Sequence, residues 1–331
     1  LCNHPQTREV WASARVQAAL VGVARAGWLP NLDGSASATR FMLDDGSYNR
    51  RSAALTLSWL LIDFGQRSAS VENAQQLLNA AAASQDATVQ SLFLAALQAY
   101  YSAQATQAAV ISATEAERSA RESYQAANAR YAVGVATPAD RLQAQTALSQ
   151  ATLNRIRAEG DARNALGALA NALGFEAQQK IVLAKLPALP AELVFQKEVD
   201  AMIAEAQARR PDLKAAEAQL KAAEASVDIA RAQGRPTVSL AAGPSWQNSA
   251  GVVTQGGSIG LTLNVPIFTG FDTTYRVRSA AAQADVRAAQ RDRIRNQIAL
   301  DVWKSYQSLT TATQSLKTAA DLVASAEQSE R

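Results

Sequence analysis

The sequence overlays on itself. At one constant offset, without a gap, Arg8 to Gln125 falls on Lys214 to Arg331, and unusual residues coincide: Pro5 on Pro211, Arg25-Ala26 on Arg231-Ala232, Pro30 on Pro236, Leu55-Thr56-Leu57 on Leu261-Thr262-Leu263, and Tyr100 on Tyr306. A self-match at so long a spacing marks a duplicated half rather than a solenoid of short repeats. Whatever one copy builds must therefore be explained as a unit used twice.

Most of that unit is helical. Alanine dominates the 331 residues while Gly (16) and Pro (9) are sparse, a composition that favours long helices. From Gln66 to about Val133 the chain lacks Pro and Gly and carries apolar or small residues at Val71, Ala74, Leu78, Ala81, Val89, Leu92, Ala96, Tyr100 and Ala103. Steps of three and four predict one helix with a single buried stripe, whose small residues admit close helix packing. At about 1.5 Å per residue it would be on the order of 100 Å long.

The helix stops at Gly134, a good residue for a helix C-terminus, and Thr137-Pro138-Ala139-Asp140 supplies an N-cap, a first-turn proline and a capping acid for a returning helix. The first repeat thus covers residues 1–174: a helix, a β-hairpin at 30–62, a long helix at 66–133, a tip at 134–137 and a helix at 138–173. The returning helix is about half as long as the first, and the helix from Pro5 would complete it by stacking end to end. Residues 175–209 read as an irregular connector with a short strand near Pro187 and Pro190 and a short helix from Ala201. Residues 210–331 form the second repeat, with a helix, a hairpin at 236–268 and a long helix at 271–331. It stops where the first copy enters its tip, so truncation is expected.

In each hairpin a turn-rich tip separates two strands; in copy one the tip is Asp44-Asp45-Gly46-Ser47-Tyr48-Asn49. Ala53, Leu55, Leu57 and Trp59 alternate with Ser52, Ala54, Thr56 and Ser58, and Ile259, Leu261, Leu263 and Val265 alternate with Ser258, Gly260, Thr262 and Asn264. One face is apolar and the other small and polar. Strands of about 10 to 12 residues suit a tilted bilayer crossing around a watery lumen, with Trp59 and Trp246 as interface anchors. The same alternation also suits a sheet in water packed on helices. Four strands cannot close a barrel, and open edges in lipid leave backbone groups unsatisfied, so a membrane sheet requires several chains; three would supply twelve strands.

Chemistry is scarce. One His and one Cys exclude most metal clusters and any intrachain disulfide; Cys2 is open to an upstream partner or to a buried free thiol. The net charge of +3 is spread without a block, which argues against nucleic acid. His4 reads as a surface or capping residue, and Asp63 and Thr269, at equivalent repeat positions, as helix caps. No Ser/His/Asp set, zinc spacing or Gly-rich phosphate loop is present, so neither an enzyme nor a bound cofactor is expected. No run of 18 apolar residues suggests a transmembrane helix. The exposed Val133-Gly134-Val135 of the tip is either a turn or a docking surface.

Three stretches carry a resemblance. Arg130-Tyr131-x-x-Gly134 with Asp140-x-Leu142-x-Ala144-Gln145 resembles the helical tip motif of the TolC family of bacterial outer-membrane export channels. Arg210-Pro211-Asp212-Leu213 with Pro236-Thr237-Val238-Ser239-Leu240 is similar to that family's passage from helix to strand, and Val265-Pro266-Ile267-Phe268-Thr269-Gly270 to its strand exit. Leu60 in place of a second proline, and Phe64-Gly65 in place of Gly-Gly, depart from the pattern.

The resemblance implies a mainly α fold with a small β part, four transmembrane strands per chain, and a homotrimer closing a twelve-stranded barrel in outer-membrane lipid above a periplasmic α-helical tunnel. The function it implies is a passive export duct for efflux or type I secretion. The lumen would be lined by Ser52, Ala54, Thr56, Ser58, Ser258, Gly260, Thr262 and Asn264. Lipid would meet Ala53, Leu55, Leu57, Trp59, Ile259, Leu261, Leu263 and Val265. Val133, Gly134, Val135, Ala136 and Thr137, with Asp140 capping the tip helix, would dock a periplasmic adaptor (membrane fusion protein) serving an inner-membrane pump. The alternative from the residues alone is a soluble periplasmic coiled-coil scaffold or adaptor.

Overall fold

A computed structural model describes residues 4–184 and 198–329. The element order is α1 (Pro5–Ala26), β1 (Asn31–Leu43), β2 (Gly46–Ile62), α2 (Gln66–Ala132), α3 (Pro138–Ala172), α4 (Val199–Arg209), α5 (Pro211–Ala232), β3 (Thr237–Ser249), β4 (Val252–Asn264) and α6 (Asp272–Ser329). The chain is mostly helical with one small antiparallel sheet. It divides into two compact units, Leu1–Glu9 with Asp86–Leu193 and Val10–Gln85 with Val194–Arg331.

The first unit is organised by the turn between α2 and α3. Leu92, Ala96 and Ala103 on α2 are buried, as are Ala162, Leu169 and Ala170 on α3. His4 caps α1, its Nδ1 accepting from the Gln6 backbone at 3.2 Å. His4 also lies against Gly174, where a Cβ would stand 3.1 Å from the imidazole. The expected connector strand falls largely outside the described residues; residues 175–184 contain no strand. Cys2 also lies outside them.

In the second unit the core is built around α5. Ala215, Ala216, Ala218, Ala222, Ala225, Ala230 and Ala232 are all buried, with Leu213 and Val227 beside them and Ile298 of α6 wholly enclosed. Alanines bring helix axes close enough for backbone contact, and Asn73 of α2 donates to the Ala222 carbonyl at 2.6 Å and to the Ser226 hydroxyl at 3.0 Å.

The sheet order is β1-β2-β3-β4, all antiparallel, so β2 and β3 join the two hairpins and β1 and β4 are open edges. The first hairpin tip is tighter than the sequence predicts. Residues Gly46 to Asn49, expected in a loop, belong to β2, leaving the two-residue turn Asp44-Asp45. The cause is cross-strand: Phe41 and Tyr48 stack with ring centroids 5.0 Å apart and hold the strands together up to Leu43 and Gly46. In the second hairpin the turn is Ala250-Gly251, both with positive φ (52° and 87°), the geometry that matches strand twist in two-residue hairpins. β4 stops at Asn264 rather than running to residue 268. Pro266 cannot donate to a ladder, which accounts for the early stop.

Candidate functional site

Residues paired directly across an antiparallel ladder point to the same side of the sheet. On one side, Leu57 pairs with Leu32 and with Ala242, Ala242 with Ile259, Trp59 with Leu240, Leu240 with Leu261, Val238 with Leu263, and Ala53 with Ala36 and Trp246. Leu55, opposite Gly34, shares this side. On the other, Ser52 meets Ser37 and Gln247, Ala54 meets Ser35 and Ser245, Thr56 meets Asp33, and Ser58 meets Asn31 and Ala241. There too Ser258 meets Gly243, Gly260 meets Ala241, Thr262 meets Ser239 and Asn264 meets Thr237. The Ser37 and Ser52 hydroxyls are 2.7 Å apart.

Away from the hairpin tips all four strands thus agree on one apolar and one small polar face, although the sequence showed the alternation plainly only in β2 and β4. Nearer the first tip Arg40, Asn49 and Arg51 stand on the apolar side and Phe41, Tyr48 and Arg50 on the other. A register shift between Leu60 and Ile62 puts Ile62 opposite Val238, on the apolar side. Val265, expected on that side, lies past the end of β4 and belongs to no ladder. The apolar face is open: Ile259 is 79%, Leu261 69% and Leu263 64% exposed. An apolar surface of this kind marks contact with a membrane or another chain. No described helix is long and apolar enough to cross a membrane.

Where β2 gives way to α2, a buried ion pair fixes the junction. Asp63 Oδ2 accepts from the Arg67 backbone N–H (2.9 Å) and from Arg67 Nε (2.8 Å), and Oδ1 accepts from the Gly65 N–H at 3.3 Å. Burial pushes the Asp63 carboxyl upward, but these donors and the Arg67 charge outweigh it and hold it below its ordinary value. Arg67 also donates to the carbonyls of Leu60 and Leu61 and lies 4.3 Å over the Trp28 ring. Trp59 Nε1 donates to the Trp28 carbonyl at 3.0 Å. Asp63 therefore caps α2 as expected, while nothing in the local sequence singled out its partner Arg67. Thr269 does not cap α6 in the same way: its hydroxyl is 3.4 Å from the Thr273 hydroxyl rather than bonded to a backbone N–H. Gly270 and Phe271, both at positive φ, place the start of α6 at Asp272.

At the tip, the Thr137 hydroxyl accepts from the Asp140 N–H (3.3 Å) and Asp140 Oδ2 accepts from the Thr137 N–H (2.9 Å), a reciprocal capping box with Pro138 in the first turn. The Thr137 N–H and hydroxyl hold the Asp140 carboxyl below its ordinary value. Gly134 takes φ 78°, and the Val135 N–H closes back on the Arg130 carbonyl at 3.0 Å. Arg141 lies 4.7 Å over the Tyr131 ring. This closed turn presents Val133 (74% exposed) and Val135 (73%) to solvent; Ala136 is half-buried.

Behind the tip, Glu117 of α2 is buried among cations. Its carboxylate accepts from Arg155 Nε, from Arg121 Nη2 at 2.8 Å and from the Thr152 hydroxyl at 3.1 Å, while Arg155 also pairs with Glu159. Thr152 and Arg155 are 35 and 38 positions from Glu117, beyond any local sequence signal. Among the described residues no group of three His, Cys, Asp or Glu could hold a metal.

The profile of the outer membrane efflux protein family matches residues 1–175 and 202–331. The chain is 36% identical over 321 residues to protein CyaE of Bordetella pertussis, covering 94% of this chain and 68% of CyaE. It is 30% identical over 285 residues to nodulation protein T of Rhizobium leguminosarum bv. trifolii, covering 81% of this chain and 60% of that relative. The fold matches that of the outer-membrane channel OprN with a TM-score of 0.81 at 23% identity, over 97% of this chain and 74% of OprN. The chain therefore belongs to the outer membrane efflux protein family, and its work is that of an outer-membrane export duct, not of an enzyme.

Proposed function

We propose that three copies of this chain assemble into a passive duct, each contributing its four strands to a twelve-stranded barrel in the outer membrane. The supporting observation is the agreement of all four strands, away from the hairpin tips, on one apolar and one small polar face, in a sheet whose two edges are open. Such a sheet satisfies its edges by pairing with further copies, and its apolar face by meeting lipid. Ser52, Ala54, Thr56, Ser58, Ser258, Gly260, Thr262 and Asn264 then line the lumen. Ala53, Leu55, Leu57, Trp59, Ile259, Leu261 and Leu263 face lipid. The internal repeat supplies the two hairpins as duplicated units. The helices extend into the periplasm, where Val133 to Thr137 dock an adaptor that connects the duct to an energised inner-membrane pump for efflux or type I secretion.

Small polar lumen residues predict weak substrate discrimination in the barrel. Extraction tests the proposal: the protein is expected to stay with outer membranes in carbonate and high salt and to need detergent for release. Release by carbonate would favour a soluble coiled-coil scaffold instead.

A further inference from the structure

Beside the end of the sheet lies a cleft of mixed charge. Arg25 stands in the last turn of α1 and Arg231 in the last turn of α5, the two arginines that coincide in the internal repeat. Both line one cleft of about 780 Å³ with Arg235, Trp28 and Phe64. Cations in a last turn complement the helix dipole, which accounts for Arg25 and Arg231 separately. It does not account for Arg235, which lies beyond α5, nor for all three lining one cleft with the half-exposed Trp28 and Phe64.

The guanidinium groups are not used up. Arg235 spends one Nη on the Phe64 carbonyl, at 3.0 Å. Arg231 makes a single contact with Asp228, at 3.1 Å with both partners more than half exposed. The Arg25 guanidinium has no ion pair among the described residues. Two acids, Glu72 and Asp228, line the same cleft. The Trp28 wall is tied to the apolar sheet face, because Trp59 on that face donates to the Trp28 carbonyl.

A site with three forked cations, two carboxylates and an aromatic wall running onto an apolar face matches one ligand chemistry: phosphate and ammonium on one headgroup, attached to acyl chains. We propose that this cleft binds the headgroup of a zwitterionic membrane lipid, with phosphate on Arg25, Arg231 and Arg235, ammonium at Glu72 and Asp228, and acyl chains along the apolar face past Trp59. This rests on the sheet lying in a bilayer.

The test is native mass spectrometry of the detergent-released assembly, supplied in turn with dioleoyl phosphatidylethanolamine, dioleoyl phosphatidylglycerol and inorganic phosphate. The ethanolamine lipid is expected to be retained on the order of tenfold better than the glycerol lipid, the scale of one charge-assisted hydrogen bond. Inorganic phosphate is not retained. Arg25→Ala, which breaks no ion pair among the described residues, lowers retention several-fold, and Glu72→Gln narrows the difference between the two lipids. Equal retention of the lipids, retention of free phosphate, or unchanged binding by Arg25→Ala would overturn the inference. Protein released by carbonate fails the duct proposal itself, whereas protein that needs detergent but shows no headgroup preference fails this inference alone.

Discussion

Gly243 of β3 rests against the backbone of Leu55 in β2 so closely that a Cβ on it would stand 1.9 Å from the Leu55 carbonyl oxygen. The contact falls in the gap of the β2–β3 ladder between the pairs Ala54–Ser245 and Leu57–Ala242, beside Pro244, which has no N–H to donate. Since that ladder joins the two hairpins, Gly243→Ala should weaken the whole sheet by at least the roughly 1–3 kcal/mol typical of overpacking. Gly260→Ala meets nothing within 4 Å and serves as the control. Denaturant unfolding of the detergent-released protein reads the difference; equal midpoints would show that β2 and β3 separate freely here.

This contact also shows where the sequence stops being legible. Local pattern is readable in one strand at a time, so the alternation of Leu55 and Leu57 with Thr56 and Ser58 announced two unlike faces. Strand length depends on the partner instead. Residues Gly46 to Asn49 look like a turn until Tyr48 finds Phe41, and the close approach at Gly243 exists only once β2 lies beside β3. The tip behaved differently: Thr137, Pro138 and Asp140 act within one turn, so their capping box could be read directly, whereas Glu117 and Arg155 could not be paired without the fold.

Removing Asp63 leaves the Arg67 charge buried without its carboxylate. Loss of one partner of a buried pair costs roughly 3–5 kcal/mol. Asp63→Ala should lie at the low end, because the Leu60 and Leu61 carbonyls still accept from Arg67. Asp63→Asn retains an acceptor for the Arg67 N–H and should lose less. The ranking Ala below Asn below wild type in thermal stability checks the assignment; wild-type stability in Asp63→Asn would mean that the charge contributes nothing.

Glu117 makes the tip hairpin sensitive to acid. Hydrogen bonding from Arg155, opposed by burial and reinforced by Arg121 and Thr152, holds its carboxyl below the ordinary value. A depressed folded-state value means that the stabilisation is present above the unfolded value, about 4.3, and is lost as pH falls through the folded one. Amide protection factors in α2 and α3, which are taken relative to the intrinsic exchange rate at each pH, should therefore fall below about pH 4 in the wild type. Glu117→Gln should be less protected at neutral pH and flatter with acidification. Parallel pH profiles would remove Glu117 from the account.

Gly134 separates turn from docking surface. Its φ of 78° disfavours side chains, but a Cβ at this position would meet no atom within 4 Å, so space is open. Asparagine tolerates this backbone region better than other residues. Gly134→Asn should keep the turn, while Gly134→Trp adds bulk between Val133 and Val135. If those valines dock an adaptor, Gly134→Trp should abolish export with membrane insertion intact, and Gly134→Asn should fall between it and the wild type. Normal export by Gly134→Trp would confine the glycine to the turn.

The two faces of the sheet can be told apart by placing the same charge on neighbouring residues. Leu261 pairs with Leu240 on the apolar side, and Thr262 pairs with Ser239 on the other. Arginine facing lipid near the midplane costs roughly 2–4 kcal/mol, whereas a lumen position keeps its guanidinium in water. Leu261→Arg and Leu57→Arg should therefore reduce the inserted fraction, while Thr262→Arg should insert normally and instead narrow the lumen, lowering conductance in planar bilayers. Because the residues are adjacent, local strand propensity changes little between Leu261→Arg and Thr262→Arg, and a difference in insertion isolates the environment of each face. If Leu261→Arg inserts and Thr262→Arg does not, lipid and lumen have been assigned to the wrong sides.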